Sequence, residues 1–170
     1  TTASYNTGVG NNSLGSNTTG EYNTAIGWQS LDVNTTGAEN AAGGWNALGS
    51  NTTGSFNTAF GGGSLDANTT ASNNAAFGHK ALTENTTGEL NTGLGKNALQ
   101  ANTTGSSNVS VGTNALFANT TASNNTAVGK DSLKANTTGT GLVAVGMNAL
   151  TANTTADDNT ALGKGTLGVN

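Results

Sequence analysis

Thr-Thr pairs begin at Thr1, Thr18, Thr35, Thr52, Thr69, Thr86, Thr103, Thr120, Thr137 and Thr154, and every step is 17 residues. Ten such units account for all 170 residues, with no insertion or deletion to break the register. A strict period this short restricts the chain to folds built by stacking one small unit on the next. Within a unit, numbered 1 to 17 from the Thr pair, Thr holds positions 1 and 2, Gly holds 10, Leu holds 14 and Asn holds 17 in all ten copies. Position 6 is Asn in nine copies, with Leu142 the exception. Position 9 is Val, Ile, Leu or Phe in nine, with Gly43 the exception. Positions 3, 8 and 13 hold small residues, while 4, 5, 11, 12, 15 and 16 vary.

Seventeen residues leave little room for two helices and their turns. The residue types also oppose helix, since Gly, Asn and Thr each lose about 0.5–1 kcal/mol to the best helix formers. Positions 6 to 10, as in "NTAVG" (Asn125–Gly129), read as a short strand closed by a glycine turn. Positions 7 and 9 then share one face and position 8 the other. Positions 13 to 17 and 1 to 2 read as a second extended stretch whose Leu points inward. At roughly 3.3 Å per residue one unit has about 56 Å of contour, enough for one flattened coil. The expected fold is therefore all-β: a parallel β-solenoid (β-roll) of ten 17-residue coils, residues 1–170 forming a single array excerpted from a longer one. The absence of Pro fits, because each coil must donate backbone hydrogen bonds to its neighbour. So does the charge pattern. Lys96, Lys130 and Lys164 share position 11, and Asp32 and Asp66 share position 15, always in alternate coils. Like charges thereby avoid facing each other at strand spacing.

Two rows of stacked side chains follow from this arrangement. Asn17, Asn34, Asn51, Asn68, Asn85, Asn102, Asn119, Asn136 and Asn153 form an expected Asn ladder. Leu14, Leu31, Leu48, Leu65, Leu82, Leu99, Leu116, Leu133, Leu150 and Leu167 form an expected apolar spine. Each of these Asn residues opens an Asn-Thr-Thr sequon. Glycans on nine Asn residues about 4.8 Å apart would collide, so a ladder is the better role. With one Leu and one position 9 residue per coil the core is expected to be thin. The flat row of small residues at position 8 is then the surface where further copies of the chain approach.

The string "NTAIGWQSL" (Asn23–Leu31), recurring as "NTAVGKDSL" (Asn125–Leu133) and "NTALGKGTL" (Asn159–Leu167), resembles the head repeats of trimeric autotransporter adhesins. It is also similar to repeats in phage tail fibres and bacterial surface fibres. The resemblance runs through positions 6 to 14 of all ten units, and the Asn-Thr-Thr segment is extra to it. It implies a left-handed β-roll, association as a homotrimer, and an extracellular, cell-surface or virion-surface location.

Composition narrows the function classes. Charged residues are 8%, against the ~25% of an ordinary globular domain. Net charge is −4 and Arg is absent, so no basic footprint for nucleic acid exists. Cys is absent, which removes thiol chemistry, and no apolar run suits membrane insertion. His79 is the only His, no carboxylate pair recurs at a spacing suited to acid–base work, and Gly61–Gly63 lacks the lysine of a phosphate loop. No catalytic, cofactor-binding or metal-binding residue is assigned, and the chain is expected not to be an enzyme. The expected role is a structural repeat region of an extended fibre. A second reading is a glycan- or receptor-binding module using exposed aromatics, namely Trp28 and Trp45 at position 11 with Tyr22 and Phe56 at position 5. A third is ice binding by stacked Thr rows, although adjacent Thr residues on a strand face opposite ways.

Overall fold

The computed structural model describes residues 2–168. It is a parallel β-solenoid with one three-residue strand per coil, from β1 (Thr7–Val9) to β10 (Thr160–Leu162). The ten strands form one sheet in chain order, every pairing parallel. Register advances by one repeat at each step, so that Thr7 lies against Thr24, Gly8 against Ala25 and Val9 against Ile26. Each strand occupies positions 7 to 9, as the NTAVG reading expects.

The side chains of the strand point the opposite way to the expectation. Position 8 is the buried one: Ala25, Ala42, Ala59, Ala76, Ala127 and Ala144 are fully enclosed. Position 9 faces outward, with Ile26, Phe60, Phe77 and Leu94 each 41–48% exposed. The small row is thus the core side of the sheet and cannot be where another chain approaches. The reason is the flatness of the coil. Across the interior the position 8 methyl meets the Leu of position 14, and one Leu layer fills the available width. Leu31, Leu48, Leu65, Leu82, Leu99, Leu116, Leu133 and Leu150 are all fully buried. At the ends of the spine Leu14 is partly buried and Leu167 is 42% exposed.

The second extended stretch is also corrected. Positions 11 to 16 are turns. The invariant Leu sits at φ +47° to +55°, in the left-handed region, in every coil. Two tight turns carry the chain round this side: Ser30 N donates to the Gly27 carbonyl (3.5 Å), and Asn34 N to the Leu31 carbonyl (3.4 Å). Residues at positions 5 and 12 are left-handed too, so each coil makes its corners with single residues of positive φ. Gly at position 10 has both a conformational and a steric reason. Its φ is +122° to +140°, and a Cβ on Gly78 would stand 2.7 Å from the Gly95 carbonyl carbon in the next coil.

Candidate functional site

The Asn-Thr-Thr string is one rung of a buried polar ladder. The Nδ2 of each position 17 Asn donates to the Oδ1 of its copy one coil earlier, from Asn34→Asn17 to Asn153→Asn136, at 2.8–3.2 Å. Its second hydrogen goes to the carbonyl three residues on, as from Asn51 to Gly54 at 2.9 Å. Both amide hydrogens are therefore used. These side chains are buried, so a folded coil has no room for a glycan on them.

The first Thr of the string links coils through its hydroxyl. Thr18 Oγ1 donates to the Thr35 carbonyl at 2.9 Å, and Thr35 Oγ1 to the Thr52 carbonyl at 3.0 Å. The Thr35 carbonyl also receives the backbone N–H groups of Thr18, Thr19 and Gly20. The second Thr is exposed in every coil, from Thr2 to Thr155. It forms a single outward file, separate from the Thr residues on the strand face at position 7.

A second Asn ladder, at position 6, was not assigned from sequence. Asn40 Nδ2 reaches the Gly54 carbonyl at 2.9 Å, and Asn40 Oδ1 accepts the backbone N–H of Asn57 at 3.0 Å. The Gly54 carbonyl thus receives both ladders. Occurrence of Asn at this position in nine of ten units was the available signal. Leu142 interrupts the row: its N–H still donates to Asn125 Oδ1, but it offers no side-chain oxygen upward. Among the described residues no buried side-chain nitrogen or oxygen lacks a partner.

Six of the outward aromatics pair into three separate stacks, and Phe56 stands outside them. Trp28 and Trp45 stack with ring centroids 6.3 Å apart and planes 3° from parallel. Tyr5 and Tyr22 stack at 4.9 Å. Phe60 and Phe77 stack at 5.7 Å on the strand itself, a pair the sequence reading assigned to the core. Position 5 precedes the strand and position 11 follows it, so Tyr22 and Phe56 lie beyond one end of the strand and the Trp pair beyond the other. The four residues proposed as one contact surface are thus split by the outer β-face. Phe60 leans over Gly43, where a Cβ would overlap its ring.

Charged side chains contact near neighbours in sequence and polar groups on the adjacent coil. Lys130 and Lys134 stand 3.6 and 3.4 Å from the Asp131 carboxylate. Burial would raise the Asp131 pKa, but the Asn114 amide and the two lysines outweigh it and hold the carboxyl below its ordinary value. Asp66 goes the other way, its carboxyl raised by burial and only partly restored by the Asn46 amide. His79 is exposed, and the described surface encloses no cavity. Among the described residues no three His, Asp or Glu side chains gather as a metal cage would require.

These features define the chain as a parallel β-solenoid with a polar-laddered interior and an outer strand face of a Thr-rich row beside a mostly apolar one. Comparison with protein-family models, curated proteins and solved structures finds no match for it.

Proposed function

We propose that the chain is a structural repeat region of an extended extracellular or virion-surface fibre, whose work is to hold a long, stiff shape. The observation that carries this reading is the continuity of the ladders. Backbone hydrogen bonds and the position 17 Asn ladder pass from coil to coil from Asn17 to Asn153, and Thr hydroxyls add links at most of the steps between. Ten coils stacked at about 4.8 Å give a rod segment about 48 Å long.

Self-association is part of the proposal, and its surface is the outer strand face. Val9, Ile26, Phe60, Phe77, Leu94 and Leu162 make a file of exposed apolar side chains down one side. The file is broken at Gly43 and continues through the half-buried Val111, Val128 and Val145, and exposed apolar side chains gathered along one face in this way favour association. A homotrimer with left-handed coils is what the adhesin-head resemblance implies, and three such strips meeting along a common axis would cover one another.

Sedimentation and negative-stain imaging of the purified chain test this. The expected species is a multi-chain rod, with Phe60→Ser and Phe77→Ser together shifting it toward single chains. A monodisperse 16.6 kDa monomer across the micromolar range would sink the reading.

A further inference from the structure

The position 11 row has a missing rung. Trp28 and Trp45 occupy it in two adjacent coils, Gly62 follows, and His79 comes next. Nothing in the backbone requires glycine at 62, because its φ lies outside the left-handed region, unlike Gly63 at +66°. Packing does not require it either. A methyl built on Gly62 would sit 3.7 Å from Trp45 Cε3 and 3.8 Å from His79 Cδ2, ordinary van der Waals contact on both sides at once. The gap between the indole and the imidazole is therefore one layer of sp3 carbon wide, with the half-buried Gly62 between them.

We propose that this gap is a binding slot for a pyranose ring of a carbohydrate chain. One face of Trp45 is taken by Trp28, and the other looks into the slot. A pyranose fits that geometry because its two faces are C–H surfaces that pack on aromatic rings, while its hydroxyls radiate from the edge. The rim can meet those hydroxyls. Beside it, a methyl at the buried Gly63 would lie 3.7 Å from Lys80 Cγ and 3.8 Å from Thr83 Oγ1, which puts a lysine stem and a hydroxyl next to the slot. The Thr83 hydroxyl donates to the Gly63 carbonyl and keeps its lone pairs for a ligand. A slot on a chain of net charge −4 with no Arg suits a neutral or weakly charged saccharide better than a nucleic acid. The slot concerns the side of the rod and stands whether or not the chains associate.

The test is tryptophan-fluorescence titration and saturation-transfer NMR with cello-, chito-, manno- and galacto-oligosaccharides. Wild type is expected to bind at least one series. Gly62→Trp continues the indole stack while filling the slot, and is expected to weaken binding by about tenfold or more, as is Trp45→Ala; this corresponds to losing roughly one aromatic packing interaction. Gly62→Ala, a milder filling, should fall between, and Trp28→Ala should stay within about threefold of wild type. Circular dichroism melts confirm that each variant folds. Two results overturn the proposal: no saccharide binds wild type, or Gly62→Trp binds as well as wild type, which would place the contact on the flat Trp stack instead.

Discussion

Leucine at φ near +50° is a costly choice, since a left-handed conformation costs an L-residue with a bulky side chain roughly 1–2 kcal/mol. At position 14 burial offsets it, because enclosing a Leu contributes about 1.5–3 kcal/mol. Position 5 has no such compensation. Leu90 holds φ +59° while 60% exposed, whereas Asn73 and Asn124 take the same conformation with a residue that tolerates it. Leu90→Asn is therefore expected to stabilise the chain by about 1 kcal/mol and raise Tm by about 2–4 °C. An unchanged or lower Tm in a calorimetric scan would count against stored strain at this corner. Part of this conformation was legible beforehand. Position 12 is Asn at five of its ten copies, Gly at two and Asp at one, the residue types that visit the left-handed region most readily. The left-handed Leu was not legible, because its invariance speaks of burial and says nothing of φ.

At the level of the strand and its ladders, the period yielded the strand, its turn and its parallel register, but the inward face was assigned backwards. Hydrophobicity alone favours position 9 for the core. Volume tells against it. Position 9 ranges from Gly43 to Phe60, and a coil one Leu wide cannot absorb that change, whereas position 8 never exceeds Ser. The position 6 ladder follows the same logic of constant shape. Asn91 Oδ1 accepts from both the backbone N–H and the Nδ2 of Asn108, at 3.0 and 3.1 Å, and Asn91 Nδ2 donates to the Gly105 carbonyl at 2.8 Å. Asn91→Ala leaves the buried Asn108 N–H without an acceptor and is expected to cost about 2–3 kcal/mol. Hydrogen exchange should show the loss first at the Asn108 amide and its coil neighbours. Equal protection there in the variant and the wild type would mean the ladder is ornamental. The aromatic slot was only half visible in sequence: the Trp pair could be named, but the role of Gly62 depends on what stands on either side of it.

For the whole molecule, the decisive quantity is register. Each coil touches only the coils before and after it, so stability is a sum of unit and neighbour terms. Removing residues 86–102 takes out one complete unit and seats the coil beginning at Thr103 directly on the coil ending at Asn85, with every ladder partner replaced by an equivalent one. This variant is expected to unfold in a single transition, with an m-value lower by about a tenth because the surface buried scales with length. Removing 86–101 instead leaves one surplus Asn between Asn85 and Thr103. That residue must be expelled as a bulge or must shift the following strands by one, and a one-residue slip would turn their buried Ser110, Ala127, Ala144 and Ala161 outward and Val111, Val128, Val145 and Leu162 inward. The shorter deletion removes fewer residues yet is expected to be the more damaging, with a lower Tm and a broadened or split transition. Far-UV circular dichroism melts of the two variants, purified in parallel, compare them directly. Coincident melting curves would mean that the coils are held by generic burial rather than by the 17-residue register, and would remove the physical basis for reading the chain as a segment of a rod.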